Sequence, residues 1–423
     1  MIDLADAIGL VERTAAPLPP RRQRLVEAAG RRLAAAVVAD VDSPPWDRAM
    51  MDGFAVRAAD FAARGGDVVE LDVVADLAAG DVTDRPIPVG GCARIMTGAP
   101  VPPGADAVVP VESAVDGTAA AHAGSRVRLR EPRFRPGQHV GVRGAAFRAG
   151  GTVLPAGAVL TPAAIGLAAE AGATHVVAEA RPRVAILSTG SELVSVEQVP
   201  AHGQTRNSNG PMIAAAVAAC GGEPIPLGSA ADRPEAIRAA VMQGLAADVL
   251  VLSGGVSAGD LDLVPAIFAA CGVERVFHKV RLKPGKPIWF GRLDRGAGLP
   301  PTLVFGLPGN PASSLVCFEL FVRPALAILE GMPRDRWHLP RQRGVLTAAA
   351  KAAADRPVYL PCRITRAAGR IDVTPLPWTG SSDLLGLAVA DGLVALPAGG
   401  PADAGTAVEV LEFSAGAAGG RQP

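Results

Sequence analysis

A chain of 423 residues exceeds what one ordinary hydrophobic core organises, and at roughly 150 residues per domain it predicts about three. Apolar residues supply 49% of it and charged residues 19%, which excludes an intrinsically disordered chain. Basic and acidic residues both number 41, so no broad basic surface is available for binding nucleic acid, although a local cationic pocket is not excluded.

Residues 1–20 carry no basic stretch followed by an apolar core, so no secretory signal is visible and a cytoplasmic protein is expected. Apolar runs such as 212–220 are too short to span a bilayer, and no membrane partner is expected. Residues 1–40 read as helical and polar, with 21–38 the clearest helix. Residues 52–136 are rich in Val, Gly and Pro and read as a β-rich module. A second helix is predicted over 162–172; packed against the first stretch, it would make the β-rich module an insertion.

From 181 to 332 strands and helices alternate, which predicts an α/β domain with a doubly wound parallel sheet. Residues 184–187, 248–252, 276–282 and 302–305 are the strand-like runs. Residues 209–220 read as an apolar helix, and Asp232 with Glu235 reads as a capping box opening a helix to Leu245. A long helix is expected to reach Leu329. Beyond Pro333 short strands at 344–347, 370–374, 392–396 and 407–413 predict a small β-domain.

The five cysteines are odd in number, widely spaced and without a C-x-x-C, as expected of reduced buried thiols; with the histidines equally scattered, no zinc site is expected. Of the 41 basic residues only four are Lys, and three of these are Lys279, Lys283 and Lys286. Lys is a compact, strongly hydrated point charge, a plausible partner for a tetrahedral oxyanion where Arg would offer a planar fork.

Four strands of the α/β region end in glycine turns bearing polar groups: Thr189-Gly190-Ser191-Glu192, Ser253-Gly254-Gly255-Val256-Ser257 on to Asp260, Lys283-Pro284-Gly285-Lys286, and Gly306 to Ser313. Ligands of open parallel sheets bind beyond the carboxyl ends of the strands, and glycine amides with helix N-termini suit phosphate or another oxyanion. Neither the Walker pattern nor G-x-G-x-x-G after a strand is present, which argues against a P-loop NTPase or a dinucleotide dehydrogenase. Glu192, Asp260 and Asp262 fall on the same sheet edge, with Asp232 at a helix start there. Such acids beside a phosphate suit Mg²⁺.

Seven motifs in order then resemble the MoeA and gephyrin E-domain family, the molybdopterin molybdenumtransferases. They are Asp47 with Met51 to Ala55, Thr97 to Pro100 with Asp106, Ser188 to Gly190 with Glu192, Asn207-Ser208-Asn209, Ser253 to Ser257 with Gly259, Asp260 and Asp262, Lys283 to Pro287, and Gly306 to Pro311. The resemblance implies a discontinuous linker domain (1–46 and 137–180), an inserted β-rich domain (47–136), a molybdopterin-binding α/β domain (181–332) and a C-terminal β-domain (333–416). It implies a homodimer, with a molybdopterin adenylyltransferase and recipient molybdoenzymes as further partners.

It also implies a reaction in which molybdate is inserted into adenylylated molybdopterin, AMP leaves and Mg²⁺ is required. Carried over, Asp262, Asp232 and Glu192 surround nucleotide and metal, with Asp232 and Asp262 as the metal ligands. Lys283, Lys286, Pro287 and Ser381 surround molybdate; Arg356 is a substrate-binding candidate, and whether Arg356 or Arg363 contacts molybdate stays open. Asp52 and Thr97 reach the partner subunit's pocket, while Thr189, Ser253, Gly254, Gly255, Ser257, Gly309, Asn310 and Ser313 contact substrate.

The chain departs from the family pattern at His139, Gly141, Ala145, Ala146 and Pro361, where Arg363 is a candidate substitute for a missing Arg. Two rivals stay open: a catalytically impaired pterin-binding scaffold, and a pterin adenylyltransferase or nucleotide-processing relative sharing only the α/β domain.

Overall fold

The computed structural model describes residues 1–62, 68–256, 263–296, 298–367, 369–400 and 402–413. They form two compact units: Met1–Pro19 with Glu179–Pro423, and Pro20–Ala178. The first nineteen residues therefore belong with the α/β part, not with the linker to which the sequence assigned them. Helix α1 (Leu4–Thr14) buries Ala7 and Val11 in the main core of that unit.

Six strands build the central sheet: β1 (Arg183–Thr189), β2 (Glu223–Ala230), β3 (Val249–Ser253), β4 (Glu274–His278), β5 (Trp289–Leu293) and β6 (Thr302–Leu307). Their order is β2-β1-β3-β6-β5-β4. The first four of these positions are parallel, while β5 runs antiparallel to both neighbours. The doubly wound sheet expected from sequence is thus present, with a hairpin added along one edge.

Alternation decides the two faces. Val184, Ile186, Val249 and Val251 point into one core with helix α2 (Asn209–Ala219), while Ala185, Leu187, Leu250 and Leu252 point into another with α3 (Pro234–Gly244) and α4 (Val264–Ala270). Successive strand residues face opposite sides, so strands buried on both read as continuous apolar runs. Helices α5 (Pro311–Cys317) and α6 (Arg323–Leu329) join through a wider π turn at Phe318–Val322. The run Pro311–Leu329 is long and apolar enough to cross a membrane, but 89% of it is buried inside the unit, where the core accounts for its composition.

The chain then closes a five-stranded barrel from Arg341–Leu346, Val358–Ala367, Arg370–Pro375, Gly392–Leu396 and Ala407–Glu412. The second of these, ten residues long, was not expected from sequence. Proline is disfavoured inside a sheet, yet Pro361 pairs opposite Leu393 and its carbonyl accepts from the Leu376 amide.

In the second unit a five-stranded sheet runs in the order Ala107–Pro110, Gly53–Val56, Gly91–Ile95, Val69–Leu77, Arg126–Leu129. Short ladders join Arg21–Arg24 to His175–Ala178 and Val37–Val38 to Thr152–Leu154. Residues 21–38 are therefore not a helix. Ala, Arg and Leu give them helical propensity, but pairing with distant strands prevails, and Gly30 turns the chain at φ +76°. The expected second helix is present as Pro162–Glu170, its start capped by Thr161.

Candidate active site

At the sheet's carboxyl edge the chain leaves β1 toward β2 on one side and reaches β3 on the other. A crevice opens where these connections diverge. Thr189 ends β1 and Ser253 ends β3, and a cavity of about 980 Å³ lies over them. Its wall takes residues from three of the four predicted turns, Thr189, Gly190 and Glu192 from the first, Ser253, Gly254 and Gly255 from the second, Gly309 and Asn310 from the fourth; of the third it takes none, only Pro287 just after it. Asp232 joins them. Ser257 and Asp262 lie outside the described residues.

The floor is held by a polar chain. Ser188 Oγ donates to Asn207 Oδ1 at 3.0 Å and lies 3.1 Å from Ser253 Oγ. Gly254, at φ +98°, passes so close that a β-carbon there would sit 2.5 Å from the Thr189 carbonyl, so no larger residue fits. Glu192 folds back over Gly190, where a β-carbon would lie 2.6 Å from each carboxylate oxygen.

Asp232 does not cap α3. The N-cap is Arg233, with Pro234 in the first helical position and no side-chain cap bond. Asp232 Oδ2 instead accepts from the Ser191 amide at 2.9 Å, and Ser191 Oγ accepts from the Asp232 amide at 3.0 Å. This reciprocal pair ties two turns together and brings the carboxylate to the cavity wall.

Two helix N-termini expected to receive an anion are already engaged. The Ala312 and Ser313 amides of α5 donate to the Ser381 carbonyl at 3.0 and 3.4 Å, and Asn207 Oδ1 accepts from the Gly210 amide of α2 at 3.0 Å. Ser313 is buried behind the wall. Ser381 contributes a brace, its Oγ accepting from Asn310 Nδ2 at 2.7 Å, while its neighbour Ser382 lines the cavity.

Neither Lys283 nor Lys286 is on this wall. Among its described residues the one cation is Arg206, which the sequence reading did not select, nor did it select Asn209 from the Asn-Ser-Asn motif. Lys283 lines a second cavity of about 370 Å³ with Lys351, Trp378 and apolar residues including Val358 and Leu360. Its backbone is clamped by the barrel: the Lys283 amide donates to the Pro357 carbonyl at 3.0 Å, and its carbonyl accepts from Tyr359 at 2.8 Å. The turn 283–287 thus has one end on each cavity. Lys286 is exposed near Asp355, whose carboxyl is held below the usual range chiefly by a hydrogen bond from Arg356, with Lys286 adding a smaller attraction. Arg356 is thereby engaged at both oxygens of Asp355. Arg363 pairs with Asp391 at 3.0 Å.

In the other unit Asp52 Oδ1 accepts from both the amide and the hydroxyl of Thr97 at 2.7 Å, which holds the Asp52 carboxyl below its ordinary pKa. Among the departures, His139 sits at φ +54°, a left-handed conformation that asparagine, aspartate and histidine adopt more readily than most side chains. Ala145 and Ala146 are exposed.

Among the described residues no three His, Cys, Asp or Glu side chains gather to hold a metal. Glu192 and Asp232 nevertheless share the first cavity, and one or two carboxylates completed by phosphate oxygens and water are what Mg²⁺ takes.

Three family models cover nearly the whole chain in order: MoeA N-terminal region (domain I and II) over 2–172, probable molybdopterin binding domain over 185–328, and MoeA C-terminal region (domain IV) over 343–413. The chain belongs to the MoeA family. It is 37% identical over 382 residues to molybdopterin molybdenumtransferase 2 of Mycobacterium tuberculosis, covering 88% of this chain and 90% of that one. It is 34% identical to the molybdopterin molybdenumtransferase of Bacillus subtilis, over 90% of this chain and 87% of the relative. The crystal structure of a MoeA protein from Pyrococcus horikoshii matches with a TM-score of 0.74 at 29% identity, covering 98% of this chain and 99% of that one.

Proposed function

We propose that this MoeA-family chain is a molybdopterin molybdenumtransferase of molybdenum cofactor biosynthesis, inserting molybdate into the dithiolene of adenylylated molybdopterin and releasing AMP. The observation that carries the reading is the division of labour across the turn 283–287. The large cavity offers carboxylates and neutral polar groups; the small one offers two lysines. The first suits a pterin nucleotide with Mg²⁺, the second a compact oxyanion.

Transfer of a tetrahedral dianion from water needs several donors and positive charge. Lys283 and Lys286, at the two ends of one short turn, supply them on the side facing the barrel. Glu192 and Asp232, with Asp262, would hold Mg²⁺ against the phosphates. The ion supplies charge neutralisation for the leaving phosphate. Arg206 is the cation available to a phosphate within the large cavity. No nucleophilic side chain is assigned. Thr189, Ser253, Gly254, Gly255, Gly309 and Asn310 position the substrate, and the Ser381 brace holds Asn310 in place.

We assign the working form as a homodimer in which Asp52, fixed by Thr97, is offered to the partner's cavity. A molybdopterin adenylyltransferase supplying the substrate and recipient molybdoenzymes taking the product are its expected partners, and reduced thiols suit the cytoplasm. The adenylyltransferase rival leaves the matches over 2–172 and 343–413 without explanation. The deciding assay mixes adenylylated molybdopterin, molybdate and Mg²⁺ and follows AMP; release dependent on molybdate is expected. Tight pterin binding without AMP would leave a scaffold instead, and pyrophosphate from ATP plus molybdopterin would make it an adenylyltransferase.

A further inference from the structure

The turn 283–287 has a counterpart. The segment from Trp378 to Leu384 also borders both cavities, with Trp378 on the wall of the small one and Ser382 and Leu384 on the wall of the large one. It follows the barrel strand Arg370–Pro375 and leads into the short helix Leu385–Ala388. Between its ends stand Thr379, Gly380, Ser381, Ser382 and Asp383, with no apolar side chain to seat them. Hydrogen bonds therefore give the segment its shape.

Two sets of them do so. Ser381 binds the segment to the start of α5, its carbonyl accepting from the Ala312 and Ser313 amides and its hydroxyl from Asn310 Nδ2. Asp383 ties the segment to itself. Its Oδ2 accepts from the Thr379 amide at 2.9 Å and the Thr379 hydroxyl at 3.0 Å, and its Oδ1 accepts from the Leu385 amide at 2.9 Å. Its own amide donates to the Gly380 carbonyl at 3.0 Å. Hydrogen bonds to an ionised carboxylate are stronger than those to a neutral acceptor. They hold the Asp383 carboxyl below its ordinary pKa, the Thr379 amide contributing most. The helix that follows closes the loop tightly, since a β-carbon at Gly386 would lie 2.9 Å from the Pro377 carbonyl. Asp383 is on neither cavity wall.

We infer that Asp383 is a positioning residue for molybdenum transfer. By fixing the loop 378–384 it sets where Ser382 and Leu384 stand relative to Trp378, and so how an oxyanion in the small cavity is aimed at a substrate in the large one. The inference rests on the two-cavity reading proposed above. It acts through alignment, which governs turnover more than affinity.

The test compares Asp383→Ala and Asp383→Asn with the unaltered chain. Asp383→Ala should lower the turnover number for AMP release by about tenfold, while KM for molybdate and for adenylylated molybdopterin each stay within about twofold. Asp383→Asn keeps one acceptor oxygen and the same turn preference, and should return to within about threefold of the parent. A loss confined to one KM, a fall in turnover matched by a fall in melting temperature, or an Asp383→Ala variant as fast as the parent each overturns the inference. Hydrogen exchange makes the test independent of turnover: the Thr379, Leu385 and Ala312 amides should exchange about tenfold faster in Asp383→Ala, and unchanged protection overturns the inference too. No AMP from the unaltered chain would instead sink the two-cavity reading, with exchange still deciding whether Asp383 shapes the loop.

Discussion

The two cavities of the α/β and barrel unit differ in the kind of charge they gather. The larger holds Glu192, Asp232 and one Arg among its described residues; the smaller holds Lys283 and Lys351 and, among its described residues, no carboxylate. A dianion is repelled by the first unless a cation intervenes, and is attracted by the second without help. On the reading proposed above, acids that would hold a metal are kept apart from lysines that would hold an anion, so that one short turn would serve two ligands that otherwise compete for the same charges.

The largest expected effect comes from breaking the turn that divides them. Gly285 stands at φ +119°, and a β-carbon there would lie 2.5 Å from Cys317 Sγ and 3.0 Å from Leu282. Gly285→Ala should cost about 3 kcal/mol of stability by thermal or urea unfolding and impair both cavities. A variant as stable as the parent would mean that the turn yields easily.

Next, Asp232→Asn should lower AMP formation by about 100-fold while leaving pterin affinity within about threefold, and chelating Mg²⁺ from the unaltered chain should mimic it. Equal losses in binding and turnover would make Asp232 only the partner of Ser191. For the small cavity, Lys351→Met should raise the molybdate KM by about tenfold with little change in turnover at saturation. An unchanged KM would confine the oxyanion to Lys283 and Lys286.

The smallest effect concerns Asp355, which neutralises part of the charge beside Lys286. Asp355→Asn should tighten molybdate by about twofold at low salt and lose that gain at high salt. Acid should act in the same direction. The Asp355 carboxyl is held below its ordinary pKa by Arg356, so it stays ionised at neutral pH; its pairing is lost only as pH falls through that lowered value. Molybdate binding that is blind to both changes would remove Asp355 from the account.

Much of this was legible in residue order. Apolar runs ending in glycine turns identified β1, β3 and β6, because a strand buried on both faces leaves a continuous signal and its turn needs small residues. Those turns also named Thr189, Glu192, Ser253, Gly254, Gly255, Gly309 and Asn310, all of which line the large cavity. Arg206 and Asn209 were missed as site residues. An Arg among 37 has no local mark, and an asparagine beside a helix start reads as a cap until its neighbours are known.

By itself the sequence determined the alternation of strand and helix, the turns and the grouping of three lysines, since each depends on residues near one another in the chain. Tertiary structure decided what propensity could not: residues 21–38 became strands and turns because partners 114 and more residues away supplied their pairing, as Val38 opposite Thr152 does. It also decided that Asp232 joins Ser191 rather than a helix, that Ser381 covers the start of α5, and that Lys351 lines one cavity with Lys283. Each of these outcomes is a contact between distant segments, fixed by packing and hydrogen bonding that no local pattern encodes.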